Sequence, residues 1–377
     1  MAVEVKKVDG KKGLEEFIRF PWRIYRHRDS FYENWPPPLL MGERDTLDPE
    51  KNPFFEHARM ANYLAYRNGE AVGRVSAVVD DNYVVFHNDK AGFVGFFECI
   101  NDTEVAEKLF KTAEEWCAEQ GMERIIGAMN PSTNHILGVL IDSFDEPPMV
   151  QMNYNPPYYP GLYEANGYGK ERDLLCYRLT KDTVKISEKI ERVTKLTMKR
   201  NNLTVRPINM KKFDEEVEMI RALYNSAWEK NWGFVPWTEE EFDHMAEDLK
   251  LIANPDLVLL VFSGERLIGV SIPLPNINEI LLRMNGRLFP FGIFRLLFGK
   301  NRLRMLRIAI MGVHPDFHNK GIDAIFAYET YKRGEALGYY GATFSWILED
   351  NYPLRNMLET WGTEMYRKYR VYQKKLS

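Results

Sequence analysis

One order of elements occurs twice in this chain, and that repetition limits the fold more than any other feature. The first hairpin runs Tyr63 to Val79 around Asn68-Gly69, and the second runs Leu257 to Ile272 around Ser263-Gly264. Each is an apolar strand, a glycine turn and a second apolar strand, and Asn-Gly and Ser-Gly provide the positive φ of a tight hairpin. A helix then leads into a strand in both halves. Thr103–Gln120 places Val105, Leu109, Phe110, Ala113, Trp116 and Cys117 on one face, stops at Gly121 and precedes the strand Arg124–Met129. Ala324–Leu337 stops at Gly338 and precedes the strand Ala342–Ile347. Glycine just past a helix end is the usual stop. The ends match too: Leu162-Tyr-Glu164-Ala-Asn-Gly167 parallels Met357-Leu-Glu359-Thr-Trp-Gly362. Tyr177 and Tyr372 each follow their glycine by ten residues, in a strand. The shared order predicts a duplicated fold.

The length of 377 residues suits two domains. We place them at 1–180 and 201–377, with 181–200 as a helical linker carrying Val184, Ile186, Ile190, Val193 and Leu196. A formal net charge of −4 gives no general attraction to nucleic acid. No apolar run approaches the ~18 residues of a membrane span, and residues 1–12 lack the apolar core of a signal peptide. A cytoplasmic protein without stable membrane insertion is expected. Cys99, Cys117 and Cys176 lie far apart, and Pro315 separates His314 from His318, so no metal site is expected.

The second half reads strand, two helices, hairpin, strand, glycine turn, helix, strand, helix, strand. Such alternation predicts a mixed α/β sheet flanked by helices. The segment Ile308-Ala-Ile-Met-Gly-Val-His314-Pro-Asp-Phe-His318-Asn-Lys-Gly321-Ile-Asp323-Ala resembles the acyl-CoA loop motif of the GNAT (Gcn5-related) acyltransferases. The resemblance covers most of residues 202–376. It implies two GNAT-like domains in tandem, with acetyl-CoA or another acyl-CoA as co-substrate. Amides at a helix start and its dipole suit a pyrophosphate. His318, Asn319, Lys320, Gly321 and Ile322 would form that cradle, Met311, Gly312 and Val313 would present the oxyanion donor, and Asn351 would complete the cofactor site. Asp323 stands where a small residue is usual. The first half resembles the family more faintly, since its loop Asn101-Asp102-Thr103-Glu104 has two acids and no glycine; Asp102 or Thr103 would cap a helix there. The whole chain is also similar to bacterial tandem GNAT-like proteins through Asn52–His57, Asn130–Asn134 and Tyr154–Tyr159.

The family's reaction is direct acyl transfer, in which positioning supplies much of the rate. A base must receive the amine's proton. Glu349 is the first candidate and His314 the second. The leaving-group tyrosine of many members falls at Leu358 in the second half and at Tyr163 in the first. Asn130, Ser132, Thr133 and Asn134, with Tyr154, Tyr158 and Tyr159, could line a polar substrate site with Tyr163; Glu98 is a further candidate. From Arg283 to Arg307 there are seven bases and no acids among many apolar residues. Such a stretch suits a membrane surface or an acidic carrier protein, but packing of its apolar side on its own domain is the favoured expectation. The leading function is an acyl-CoA-dependent N-acyltransferase on a small amine or amino-acid-like acceptor, with a homodimer as a possible assembly. Two alternatives stay open: an aminoacyl-tRNA-dependent transferase, and a non-catalytic ligand-binding protein with a degenerate site.

Overall fold

The computed structural model describes residues 2–25, 32–184 and 188–376. Its principal strands are β1 (Glu4–Lys7), β2 (Ala58–Arg67), β3 (Glu70–Asp80), β4 (Ala91–Cys99), β5 (Arg124–Gly127), β6 (Gly169–Thr180), β7 (Leu203–Pro207), β8 (Leu259–Ser263), β9 (Arg266–Pro275), β10 (Met305–Val313), β11 (Gly341–Leu348) and β12 (Glu364–Lys375). The helices used below are α1 (Thr103–Glu119), α2 (Tyr159–Ala165), α3 (Glu188–Arg200), α4 (Phe213–Ala227), α5 (Glu239–Ile252), α6 (Ile322–Ala336) and α7 (Tyr352–Thr360). Residues 185–187 of the expected linker, Ile186 among them, lie outside the described residues; α3 begins just after them.

The chain forms two compact units. Unit 1 holds Met1–Leu174, Asn278–Leu296 and Arg367–Ser377, and unit 2 holds Leu175–Ile277 and Leu297–Tyr366. Strand order in unit 1 is β1-β2-β3-β4-β5-β12, and in unit 2 it is β6-β11-β10-β9-β8-β7. Both sheets are mixed. Their hairpins pair antiparallel, whereas β4 with β5 and β10 with β11 pair parallel. The α/β expectation of a duplicated mixed sheet therefore holds, and the register shows how close the copies are. Gly73 of β3 lies opposite Cys99, and Gly269 of β9 lies opposite Val313. Each hairpin strand carries an irregularity against β4 or β10 a few residues further on.

Each unit takes its last strand from the other stretch of sequence. The C-terminal part of β12 closes unit 1, and the latter part of β6 closes unit 2. The repeated Glu and Tyr mark this exchange. The Tyr372 hydroxyl donates to Glu164 Oε1 at 3.0 Å in unit 1, and the Tyr177 hydroxyl lies 3.5 Å from Glu359 Oε1 in unit 2.

Helix α1 buries Val105, Ala106, Leu109, Phe110, Ala113 and Cys117 against the unit 1 sheet, the face its 3.6-residue period predicts. Helix α6 has no single apolar stripe because it serves two cores. Ile322, Ile325 and Phe326 pack with Leu259, Val261, Ile268 and Val313, while Ala324 and Ala327 pack toward Ile308, Phe344 and Trp361.

The basic segment differs from its favoured expectation. Phe289, Phe291, Phe294, Leu297 and Phe298 stand exposed, and only Leu288, Ile293 and Leu296 are half-buried. Arg307, counted among its bases, is instead buried in β10, with Nε donating to Ser345 Oγ at 3.1 Å and the guanidinium over the Trp346 ring. The inner side of the segment is taken up by backbone contact: a Cβ on Gly292 would lie 2.2 Å from the Arg287 carbonyl oxygen.

Candidate functional sites in the two units

In unit 2 the parallel pair opens partway along. β10 and β11 are in register from Met305 opposite Gly341 to Ile308 opposite Phe344, and beyond that no pairing joins them. Ile310–Val313 stays paired to β9 on one side only, after a register shift that leaves Ala309 unpaired. In an antiparallel pair, alternate residues turn their amides away from the partner. The Met311–Val313 stretch therefore presents backbone donors on its uncovered side, as an oxyanion site requires. The Val313 side chain is core, and Met311 lines a cleft. Gly312 is held under an indole: a Cβ there would sit 1.9 Å from Trp228 Cη2, and Trp228 stacks on Tyr224 at 4.3 Å.

After β10, His318 Nε2 bonds with the Val313 carbonyl at 2.9 Å. Asn319 and Gly321 both take left-handed backbone conformations, φ +60 and +74. Gly321 stands at the start of α6 without a side-chain cap. The amides of Asn319, Lys320, Gly321 and Ile322 make no hydrogen bond to another described residue. This is a turn of open donors at a helix start, with the Lys320 ammonium beside it over the Phe317 ring. It suits a pyrophosphate. The Ile322 side chain is buried, so only its amide can serve. Asp323 is half-buried, and its carboxyl accepts from its own amide; burial raises its pKa and His318 opposes that rise.

The other expected unit 2 residues have local partners. Asn351 Oδ1 caps α7 by accepting from the Leu354 amide at 3.3 Å. His314 Nδ1 accepts from the Asp316 amide at 3.2 Å, and its Nε2 lies 2.7 Å from Arg266. Glu349 sits half-buried in the turn after β11, and its carbonyl accepts from Arg355. Leu358 is core. A mostly apolar cleft lies between α6 and the sheet, walled by Leu306, Ile308, Met311, Phe326, Phe344 and Trp361. Sequence reasoning missed this cleft. The small residues Ala327, Gly334 and Ala342 that leave it room were the available signal.

In unit 1 the parallel pair also stops early, at Val94 opposite Gly127, but the gap is filled. Asn130 Oδ1 accepts from the Phe96 amide at 2.6 Å, and its Nδ2 donates to Asn153 at 3.2 Å. Asn134 donates its amide to Ser132 Oγ, which bonds His135. Tyr163 is fully buried and stacks on Tyr372 at 5.0 Å. At the start of α1, Asp102 accepts from the Val105 amide and pairs with Arg67, which also reaches Glu104. That helix end is capped, whereas the start of α6 is open.

The register makes Glu98 the counterpart of Gly312, and in unit 1 this position is chemically rich. Glu98 Oε2 accepts from the Tyr159 hydroxyl at 2.6 Å and lies 3.2 Å from the Tyr25 hydroxyl. Arg74, buried, donates to the Phe17 carbonyl and lies over the Phe17 ring. Tyr25 stacks on Trp35 at 4.4 Å. Burial raises the Glu98 pKa to about 7, against the charge of Arg74 and the two tyrosine hydrogen bonds. The side chain keeps partial exposure, and Oε1 accepts no hydrogen bond from a described residue. One oxygen is thus held and the other is free to meet a ligand.

An acid that holds its proton more tightly when folded favours folding most at low pH. The Glu98 contribution is full below about pH 4.5 and is lost as pH rises through about 7. The change is on the order of 3 kcal/mol. Urea titrations of wild type and Glu98→Gln at pH 4.5 and pH 8 should show the variant gaining about that much relative to wild type at the higher pH. A gap that does not vary with pH would mean Glu98 titrates as an ordinary surface carboxyl.

Comparisons with known proteins come from several directions. No family model matches the chain. Protein YghO of Escherichia coli (strain K12) is 34% identical over 372 residues, covering 97% of this chain and 94% of that protein. Bacterial ceramide synthase of Caulobacter vibrioides is 34% identical over 370 residues, covering 96% and 95%. Among solved structures, a tandem GNAT protein from the clavulanic acid biosynthesis pathway superposes with a TM-score of 0.57 at 10% identity, covering 100% of this chain and 99% of that one. A GCN5-related glucosamine N-acetyltransferase region of a fungal multi-domain β-N-acetylglucosaminidase gives 0.59 at 15% identity, covering 99% of this chain and 38% of that one. The solved structures share the fold.

Proposed function

This chain belongs to the tandem GNAT-type family shared with these relatives, and we propose that it is an acyl-CoA-dependent N-acyltransferase that joins a long acyl chain to a long-chain amine. The observation that carries the reading is the apolar cleft of unit 2, which reaches Met311 on the strand that leads to the open amide turn of Asn319–Ile322. A pyrophosphate suits the turn, the uncovered amides of β10 suit the thioester oxygen, and the cleft suits hydrocarbon. The relative named a ceramide synthase supports a lipid amine over a small one, because a ceramide is the amide of a long-chain amino alcohol.

The chemistry asked of the protein is modest. The backbone amides of β10 would stabilise the oxyanion in a site sheltered from water by Trp228. The amine's proton needs an acceptor, and Glu349, after β11, is the unit 2 candidate.

Chain-length selectivity tests this. Release of free CoA from acetyl-, octanoyl- and palmitoyl-CoA should be fastest with the long chains when a long-chain amino alcohol is the acceptor. Ala327→Phe, which places a ring in the cleft, should lower kcat/KM for palmitoyl-CoA by about 10–200-fold, as loss of apolar pocket contacts does, and spare octanoyl- or acetyl-CoA. A wild-type preference for acetyl-CoA, or an unchanged profile in the variant, would return the reading to a small-acyl enzyme.

A further inference from the structure

The geometry points to a lipid-docking surface at Phe289–Phe298: we propose that this segment seats the protein on the surface of an anionic bilayer. Five large apolar side chains stand out from ten residues of chain, with exposures of 68% for Phe289, 74% for Phe291, 56% for Phe294, 57% for Leu297 and 75% for Phe298. Four of the five exposed phenylalanines among the described residues are here. At 100° per residue, positions 291, 294, 295 and 298 share one side of the short helix Gly292–Gly299, and 297 borders it. Contiguous apolar exposure of this kind marks an interaction site.

The inner side of the same helix is fixed. Gly292 is pressed on the turn below it, where an added Cβ would lie 2.7 Å from Met284 Cε, and Met284 is itself buried. Ile293 and Leu296 are half-buried on that side. The phenyl rings are therefore held outward by packing beneath them.

Charge selects the partner. Arg283, Arg287 and Arg295 are exposed in the same stretch of chain, and no acid occurs from Arg283 to Arg307. Bare phenyl rings in a stretch of exposed arginines match the boundary between acyl chains and anionic headgroups. A protein-binding centre would be expected to carry Tyr or Trp, and this segment has neither. No helix among the described residues is long and apolar enough to cross a membrane, so the contact is at the surface. The inference stands apart from the choice of acyl donor or acceptor.

Flotation of the full chain with vesicles tests it. Vesicles of phosphatidylcholine with a minor share of phosphatidylglycerol should carry the protein upward at low salt, and phosphatidylcholine alone should carry much less. The triple variant Phe291→Ser, Phe294→Ser, Phe298→Ser should bind at least about ten-fold more weakly, because burial of its rings supplies the affinity. Arg287→Glu with Arg295→Glu should lose the preference for anionic vesicles. All the replaced side chains are exposed, so each variant should keep the wild-type melting temperature, which separates lost docking from lost folding. Wild type that stays at the bottom of the gradient with anionic vesicles overturns the proposal. So does a triple variant that floats as wild type does, or a segment whose only measurable partner is an acidic protein.

Discussion

Gly321→Glu should weaken CoA binding to the full chain by about 10³-fold in calorimetric titration, while Thr103→Glu leaves it unchanged. Both positions stand at the start of the helix that follows a parallel-paired strand, but the two helix starts differ. At α6 the amides from Asn319 to Ile322 are open and Lys320 adds a cation. At α1 Asp102 already caps Val105, and Arg67 is engaged by two carboxylates. The helix dipole is worth only ~0.3–1 kcal/mol at an exposed site. Unit charges about 4 Å apart at an effective dielectric of 20 interact by ~4 kcal/mol, which is about three powers of ten in affinity. Local charge should therefore dominate. Backbone strain is a second effect, separable from charge. Gly321 has φ +74, and a Cβ there meets nothing closer than Thr197 Cγ2 at 3.7 Å. Gly321→Ala should thus cost ~1–2 kcal/mol of stability from the left-handed conformation and change CoA affinity only a few-fold. Asp323→Asn should tighten binding, because it removes a carboxyl charge next to the open amide of Ile322. A loss confined to Thr103→Glu would move the donor to the other unit, and equal losses would mean that the open amides of α6 do not single it out.

Local signals were legible where local physics decides them. The left-handed glycines at 69, 264, 121, 338, 167 and 362 all fall where a hairpin or helix end needed them. The stops of α1 and α6 lie within a residue of the expected ends, and the amphipathic face of α1 is the buried one. The exchange of last strands was not legible. Ten residues separate Gly167 from Tyr177 and Gly362 from Tyr372 whether or not a strand stays with the helix before it. Only the long-range bonds to Glu164 and Glu359 distinguish the two outcomes. Tyr163 shows the same limit, since its position in the repeat suggested chemistry and its surroundings, Phe97, Phe110, Tyr168 and Tyr372, are all core aromatics. Glu98 shows the converse. Its partners Tyr25, Arg74 and Tyr159 come from three remote stretches, so no spacing could reveal that they converge.

Arg367→Met should cost about 3–5 kcal/mol of stability, the scale for leaving several buried carbonyls without a donor. Arg304→Met, at an exposed arginine, should cost under ~1 kcal/mol. Arg367 opens the part of β12 that belongs to unit 1, and its side chain is fully buried. Its guanidinium donates to the Pro147 carbonyl at 3.1 Å and to those of Ser143 and Glu146 at 2.8 and 2.6 Å, with the Glu146 carboxylate at 3.9 Å. Methionine keeps the stem's packing but leaves three carbonyls dry and unsatisfied. Neighbouring bonds tie the same loop to the strand: the Lys368 amide donates to Asp142 Oδ1 at 2.6 Å, and the Tyr369 hydroxyl to the Asn153 carbonyl at 2.9 Å. The effect should also reach the Glu98 site. The Tyr154 hydroxyl donates to the Phe144 carbonyl at 2.6 Å, and the Tyr154 carbonyl lies 3.1 Å from the Tyr25 hydroxyl, whose one hydrogen is shared with Glu98 Oε2. If the 143–147 loop relaxes, Tyr25 loses its second acceptor and Glu98 its fixed neighbour. Urea titrations of Arg367→Met should therefore show both a lower midpoint and a smaller pH dependence between pH 4.5 and 8 than wild type. A lower midpoint with the full pH dependence would confine Arg367 to holding the loop and leave Glu98 independent of it. A midpoint no lower than that of Arg304→Met would remove Arg367 from the stability of unit 1 altogether.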